Sequence, residues 1–227
     1  TEHIDDDTGI VRPLEEPFIE VVVGTERVAM LSQEREGVFE IDSIAPLIKH
    51  VRQTMRFPIL PIVDRIKHER ILVDHLRAFL FLTADGAPPP GRGGRERLMR
   101  KLARGMITSQ KLLQIEEPDF VASLLDLALD LYADQQPQLP PARQTVLSYL
   151  ADEQTLFENT LQRGKRRLER LLRSQGNQIS GEDMVNLEKE HGLPQPLIEV
   201  FLTREKIPFS RQAYQNAYEE WYQRVTS

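Results

Sequence analysis

The 227-residue chain contains no cysteine. That excludes disulfides, thiolate catalysis and any cysteine-ligated zinc, and it is compatible with a reducing, cytoplasmic setting. Aromatic residues are few, at 7%, so the core must be built mainly from Leu, Ile and Val. No apolar run approaches the length of a membrane span, so no membrane partner is expected. The five histidines, at 3, 50, 68, 75 and 191, fall into no metal-binding spacing, and a metal site is not expected. No nucleophile is recognisably placed beside a histidine, so no catalytic residue is assigned. The start, TEHIDDDTG, is acidic and polar rather than leader-like, and a first residue that is Thr suggests a segment of a longer chain. No internal repeat is found.

What is present is helical periodicity and uneven charge. The net charge of −6 argues against a protein that coats nucleic acid with its whole surface. Yet seven basic residues between Arg92 and Lys111 face one acid, Glu96, and six between Arg163 and Arg173 face one acid, Glu169. Such local stripes permit a local phosphate contact.

Along the chain, residues 1–17 read as loop and FIEVVV, 18–23, as a strand that passes through Gly24 into a helix. Residues 40–55 carry Ile44, Leu47, Ile48 and Val51 at helical spacing, with Asp42 or Ser43 as the cap and Pro46 in the first turn. Helices are predicted from Ile62 to Thr83, from about Arg95 onward, and over 119–133, where Asp126 and Asp130 share a face. QQPQLPPARQ reads as a turn. A long helix follows from 145, with a break expected near Gly164. Three short helices start at Ser180, Pro196 and Ser210. The fold class is mainly α.

Three motifs stand out. In RILVDHLRAFLFLTADG, 70–86, Arg70, Asp74 and Arg77 form a polar stripe on a helix otherwise apolar. An ion ladder explains it, at about 0.5 kcal/mol per exposed pair, and a satisfied structural role suits His75. GRGGRERLMRKLARG resembles a phosphate-cradling turn opening a basic helix, but it lacks the Lys-Ser or Lys-Thr of a P-loop. There Arg97, Lys101 and Arg104 share one face, as tracking a phosphate backbone requires. QRGKRRLERLLR reads as a solvated face over Leu168, Leu171 and Leu172.

These stretches resemble the alanyl-tRNA synthetase family. RILVDHLRAFLFLTADG resembles that family's RVIADHIRAxTFLIADG, matching at Arg70, Asp74, His75, Arg77, Ala78, Phe81, Leu82, Ala84, Asp85 and Gly86. EQTLFENTLQRGKRRLERLL and ISGEDMVNLEKEHGLP resemble its later helices, and DDDTGIVRPLEEPFIEVVVGTERVAML resembles the third signature motif of a class II core. The resemblance implies a short strand-and-helix end of that core over 1–57, a helical middle domain over 58–176 and a small helical subdomain over 177–227. It also implies ATP contacts at Gly24, Glu26 and Arg27, with ATP and Mg bound only where the rest of the catalytic part is present, and no zinc. For the tRNA acceptor stem it implies Arg92, Arg95, Arg97, Arg100, Lys101, Arg104 and Lys189.

Departures accompany the resemblance. The family's DTGMG is EVVVG here, with Glu20 for Asp and Val22 for the first Gly. Gly91 or a neighbour stands where the family has a base-reading Asn, and Lys189 where it has a base-reading Asp. A lysine can hold a phosphate but cannot accept a hydrogen bond from a base amino group. The first two class II motifs and the editing domain are not found. The expectation is a divergent paralogue or fragment that binds an acceptor stem and presents its 3′ end to a core supplied elsewhere, not catalytic alone. The alternative is a synthetase-derived interaction module docking a catalytic synthetase-like chain through 119–133 or through Tyr214, Tyr218, Trp221 and Tyr222, although Tyr214, Tyr218 and Trp221 share a helix face that suits a core better.

Overall fold

The structure, a computed structural model, describes residues 2–4, 11–13, 16, 23–56 and 60–226. It falls into two compact units, Thr1–Asp42 and Ser43–Ser227. The fold is mainly α. In the first unit, β1 (Glu2–Ile4) pairs antiparallel with β2 (Val11–Pro13), His3 opposite Arg12. Helix α1 (Thr25–Ser32) follows Gly24, and a 3₁₀ turn spans Val38–Glu40. The strand expected at 18–23 lies outside the described residues except for Val23, which is not in a strand.

The second unit holds α2 (Ala45–Thr54), α3 (Ile62–Ala84), α4 (Gly94–Leu112), α5 (Phe120–Tyr132), α6 (Leu139–Ser174), α7 (Gly181–Lys189), α8 (Gln195–Arg204) and α9 (Arg211–Thr226). Two of them, α7 and α9, begin on side-chain caps. Ser180 accepts from the Asp183 amide while the Asp183 carboxylate accepts from the Ser180 amide, a reciprocal cap of α7. The Ser210 hydroxyl accepts from the Ala213 amide at the start of α9. Helix α3 ends on Gly86, at φ +77°, with Ala87 N–H bonded to the Leu82 carbonyl, which accounts for the Ala-Asp-Gly stop.

Three expectations are corrected. Within residues 1–17, read as loop, Glu2–Ile4 and Val11–Pro13 form a strand pair. Helix α2 starts after Ile44 with no side-chain cap, so neither Asp42 nor Ser43 serves that role. The long helix starts six residues early and does not break. Pro140 and Pro141 sit in its first turn, where missing amide donors cost nothing. Gly164 stays helical, and the residue is small because α6 passes close to Leu193; a Cβ there would lie 2.8 Å from the Leu193 Cβ.

At 1.5 Å rise per residue, α6 is a rod of about 54 Å. Its first half packs Val146, Leu150 and Phe157 into a core shared with Leu72, Leu76 and Phe79 of α3, Met99 and Met106 of α4, and Phe120 and Leu124 of α5. Its second half contributes Leu168 and Leu172 to a separate cluster with Met184, Leu187, Leu193, Ile198, Leu202 and Ile207. The rod therefore ties α4, on the first core, to α7 and α9, on the second. The buried face of α5 is as its composition predicts, and Asp126 is spent on a two-pronged pair with Arg143 at 2.5 and 2.9 Å.

Two buried carboxylates pin the helices. Glu69 of α3, fully buried, meets Arg52 of α2 at 2.7 Å and Arg65 at 3.4 Å. Glu153 of α6, 1% exposed, meets Arg104 at 2.6 Å and Arg100 at 3.6 Å, both from α4. His75 packs between α3 and α4, its Nδ1 3.3 Å from the Leu102 carbonyl, so that nitrogen carries the proton. Buried His68 meets Ser109 Oγ at 3.1 Å. Burial is the main cause that lowers both histidine pKa values. The structural role expected of His75 holds. In the stripe of α3, Asp74 pairs with Arg77 at 4.0 Å, and the Arg77 guanidinium lies 5.7 Å from the centre of the Tyr132 ring.

Candidate nucleic-acid interface

The basic stripe of α4 divides into two sets. Arg100 and Arg104 turn inward to Glu153, and Arg104 also lies 4.8 Å over the Phe157 ring. Their charge holds α4 to α6. Arg92, Arg95, Arg97 and Lys101 are exposed and make no ion pair with another described residue. The inward turn of two arginines has no local signal, because Glu153 lies 49 residues from Arg104.

Lys189, at the end of α7, is drawn to the same side. Its ammonium lies 3.2 Å from Glu188, 4.4 Å from the centre of the Tyr218 ring and 5.1 Å from that of Trp221. A cation over ring faces is attracted by their quadrupole. The same Glu188 oxygen accepts the Tyr214 hydroxyl at 2.6 Å. Burial, then that bond, push the Tyr214 pKa upward, so it stays a donor. Tyr214, Tyr218 and Trp221 follow one another along α9, with ring centres 6.1 and 5.9 Å apart.

This wall can form because α7 and α9 touch backbone to backbone. At Gly181 a Cβ would stand 2.1 Å from the Ala213 carbonyl oxygen, so only glycine fits. At the same end of α9, Arg211 bridges Glu199 at 2.7 Å and Asp64 of α3 at 3.1 Å, which fixes α9 against both α8 and α3.

Between α4 and α9 lies an open groove of about 620 Å³. Arg97, Leu98 and Lys101 line one side, and Lys189, Trp221 and Tyr222 the other. Of the cations expected from the sequence, Arg97, Lys101 and Lys189 line this groove; Arg92 and Arg95 do not, and Arg100 and Arg104 turn to Glu153. Sequence reasoning assigned the aromatic residues to a core or a protein dock. The signal for a wall was available: Tyr218, Trp221, Tyr222 and Val225 recur at helical spacing in a helix with no buried residue.

The second basic run lies elsewhere. Lys165 pairs weakly with Glu169 at 3.9 Å and lies 5.5 Å from the centre of the Phe201 ring, while Arg166 and Arg170 donate to carbonyls one turn back. Leu168 and Leu172 are buried beneath, and Leu171 is half-buried. This is the solvated face expected of it.

In the first unit, Gly24 precedes α1, and Glu26 and Arg27 occupy its first turn, all exposed. The Arg27 amide bonds the Gly24 carbonyl at 3.0 Å. Helix α1 has no buried residue. An exposed guanidinium can meet a triphosphate, but these residues supply no wall for a base or ribose and do not by themselves make a nucleotide site. Glu20 and Val22 lie outside the described residues. No group of three or more His, Asp or Glu among the described residues could hold a metal ion, and no helix among them is long and apolar enough to cross a membrane.

Residues 2–226 match the family model described as tRNA synthetases class II (A). Among curated proteins, the alanine–tRNA ligase of Prochlorococcus marinus (strain MIT 9515) is 30% identical over 203 residues, which is 89% of this chain and 23% of that protein. That of Parasynechococcus marenigrum (strain WH8102) is 29% identical over 221 residues, 97% of this chain and 25% of that protein. That of Dehalococcoides mccartyi (strain ATCC BAA-2266 / KCTC 15142 / 195) is 32% identical over 190 residues, 83% and 22%. The chain thus spans about a quarter of the length of the curated relatives it matches.

Proposed function

The chain belongs to the class II (A) tRNA synthetases, as a segment of the alanine–tRNA ligase kind, and from that premise we propose that it grips a tRNA acceptor stem by its backbone. The observation that carries this is the division of the α4 stripe. Arg100 and Arg104 fasten the helix to Glu153, which leaves Arg95, Arg97 and Lys101 exposed along one rigid helix, with Arg92 exposed in the loop just before it. Fixed cations on a helix follow the spacing of phosphates and position a nucleic acid. Lys189, paired with Glu188, braces the facing wall.

Recognition here is by shape and phosphate. With Gly91 and Lys189 where the family has base-reading side chains, the two family acceptors for base amino groups are replaced. The segment orients the 3′ end towards a class II aminoacylation core and does not activate an amino acid alone. ATP and Mg belong to that completed core; Arg27 would meet the phosphates there, with Gly24 and Glu26 beside it. A guanidinium so placed neutralises charge as pyrophosphate leaves.

Gel-shift titration with acceptor-stem hairpins that differ only in one base pair tests the reading. Equal affinities, all weakened by salt, are expected. A preference of tenfold or more for one pair, or no binding to any hairpin, overturns it.

A second reading rests on α1, where Val28 is 50% and Leu31 73% exposed. Apolar side chains left in water on one short helix are suited to docking a catalytic synthetase-like chain or the remainder of a longer protein. Co-purification of such a chain with wild type but not with Leu31→Glu tests it.

A further inference from the structure

We infer that a groove between the middle of α6 and helix α8 docks an amphipathic helix of a partner protein, its apolar face inward and its acidic edge at Lys165 and Arg204. The inference stands apart from the backbone-binding reading, because none of these residues is among those offered to phosphates.

The groove has a volume of about 640 Å³. Its floor is apolar: Leu161 of α6 and Leu197, Val200 and Phe201 of α8 lie half-buried over buried Leu168 and Leu193. Its rim is charged, with Lys111, Lys165 and Arg204 against a single acid, Glu158. Lys111 already takes up Glu158, at 3.3 Å. Lys165, at the edge of the solvated face of α6, has only the 3.9 Å pair with Glu169 and leans over the Phe201 ring. Arg204 is exposed and makes no ion pair with another described residue. An apolar floor beside two cations short of acids is complementary to a segment with an apolar face and an acidic edge.

The length of the surface favours a helix over a small carboxylate. The groove borders a second hollow of about 700 Å³ beside α5, and the two share Lys111, Gln114 and Arg204. Helix α6 lines both, from Leu147 to Lys165, which is about 27 Å at 1.5 Å per residue. The border between them is crossed by the Lys111–Glu158 pair, whose side chains are exposed and which contributes little to stability. A helix laid into such a groove presents apolar residues at i, i+3, i+4 and i+7. RNA would answer the cations, but the floor is aliphatic and Lys165 covers the one ring, so a base has nothing to stack on. A lipid surface is flat and does not reach a concave floor.

The probe is a labelled synthetic peptide of about 18 residues, with leucines at helical spacing and glutamates beside them, titrated into the 227-residue chain by fluorescence anisotropy. Two controls are a scrambled peptide of the same composition and one with lysine for every glutamate. The acidic amphipathic peptide is expected to bind about tenfold more tightly than either. Lys165→Glu combined with Arg204→Glu, both at exposed positions, should remove that advantage and leave acceptor-stem hairpin binding unchanged. Leu197→Glu should remove it too, with melting curves confirming that the variants fold. Equal binding of the scrambled peptide, no binding, or affinity that the charge variant leaves unmoved overturns the inference, whatever the hairpins do. Hairpin affinity that falls in the charge variant makes the occupant RNA and overturns it as well. So does a wild-type dimer in light scattering that the charge variant dissolves, which makes the occupant a second copy.

Discussion

Replacing Glu153 by Gln keeps the shape of the side chain and removes its charge. Glu153 is 1% exposed and faces two guanidinium groups of α4, at 2.6 Å for Arg104 and 3.6 Å for Arg100. Breaking a fully buried pair costs roughly 3–5 kcal/mol. Here the arginine side chains are 31% and 25% exposed and can turn partly to water. The cost is therefore lower, about 2 kcal/mol. With a urea m-value of about 2–3 kcal/mol/M, the unfolding midpoint should fall by about 0.7–1 M. Helical circular dichroism follows this well, because the second unit is almost wholly helical. Arg104→Met should cost more than Arg100→Met, since Arg104 is closer and also lies over Phe157. Arg104→Met should leave hairpin affinity within about twofold of wild type, because in this account it positions and does not touch phosphate. A midpoint shift below about 0.2 M for Glu153→Gln, or a large loss of RNA binding in a folded Arg104→Met, would refute the division of the stripe.

Gly181→Ala forces α7 from α9, where the new methyl would stand 2.1 Å from the Ala213 carbonyl oxygen; a loss of about 1–3 kcal/mol and a shift in the Trp221 emission maximum are expected. Ser180→Ala removes one half of the α7 cap and should cost about 1 kcal/mol, read from the thermal midpoint. Folding keeps His68 neutral and lowers its pKa below 6.5, chiefly by burial, with Lys67 adding to this and Asp64 opposing it. The unfolded chain thus binds protons that the folded chain refuses. The stability from this group is complete above pH 6.5 and is lost as pH falls through the lowered folded value. Denaturation of wild type and His68→Gln across that window should show a shallower acid loss in the variant.

Most of the scaffold was legible because its causes are local. Apolar residues at i, i+3 and i+4 marked α2, α3 and α5, and Ser180 and Ser210 marked the starts of α7 and α9. Where reading went wrong, the deciding contact was distant or the residue ambiguous. Pro140 and Pro141 look like turn residues, yet a first helical turn accommodates them equally. Gly164 looks like a break until Leu193 is seen against it. The motif at 70–86 marked a helix and, by resemblance, a family; its histidine and arginine serve packing within the helical unit. The exposed cations of α4 were legible as a stripe, but Glu153, which removes two of them, was not. Nor was the position of Lys189 over Tyr218 and Trp221, since Trp221 lies 32 residues away and the contact depends on Gly181 admitting α9.

The most direct test is the salt dependence of hairpin binding by wild type and by Arg97→Ala and Lys101→Ala. Each phosphate contact contributes about 0.9 to the slope of log affinity against log salt. Three or four contacts along α4 therefore predict a wild-type slope of about −3 to −4. Each substitution should reduce its magnitude by about one and weaken every hairpin alike. A flat slope, or one that neither substitution changes, would contradict a cationic grip on the acceptor stem.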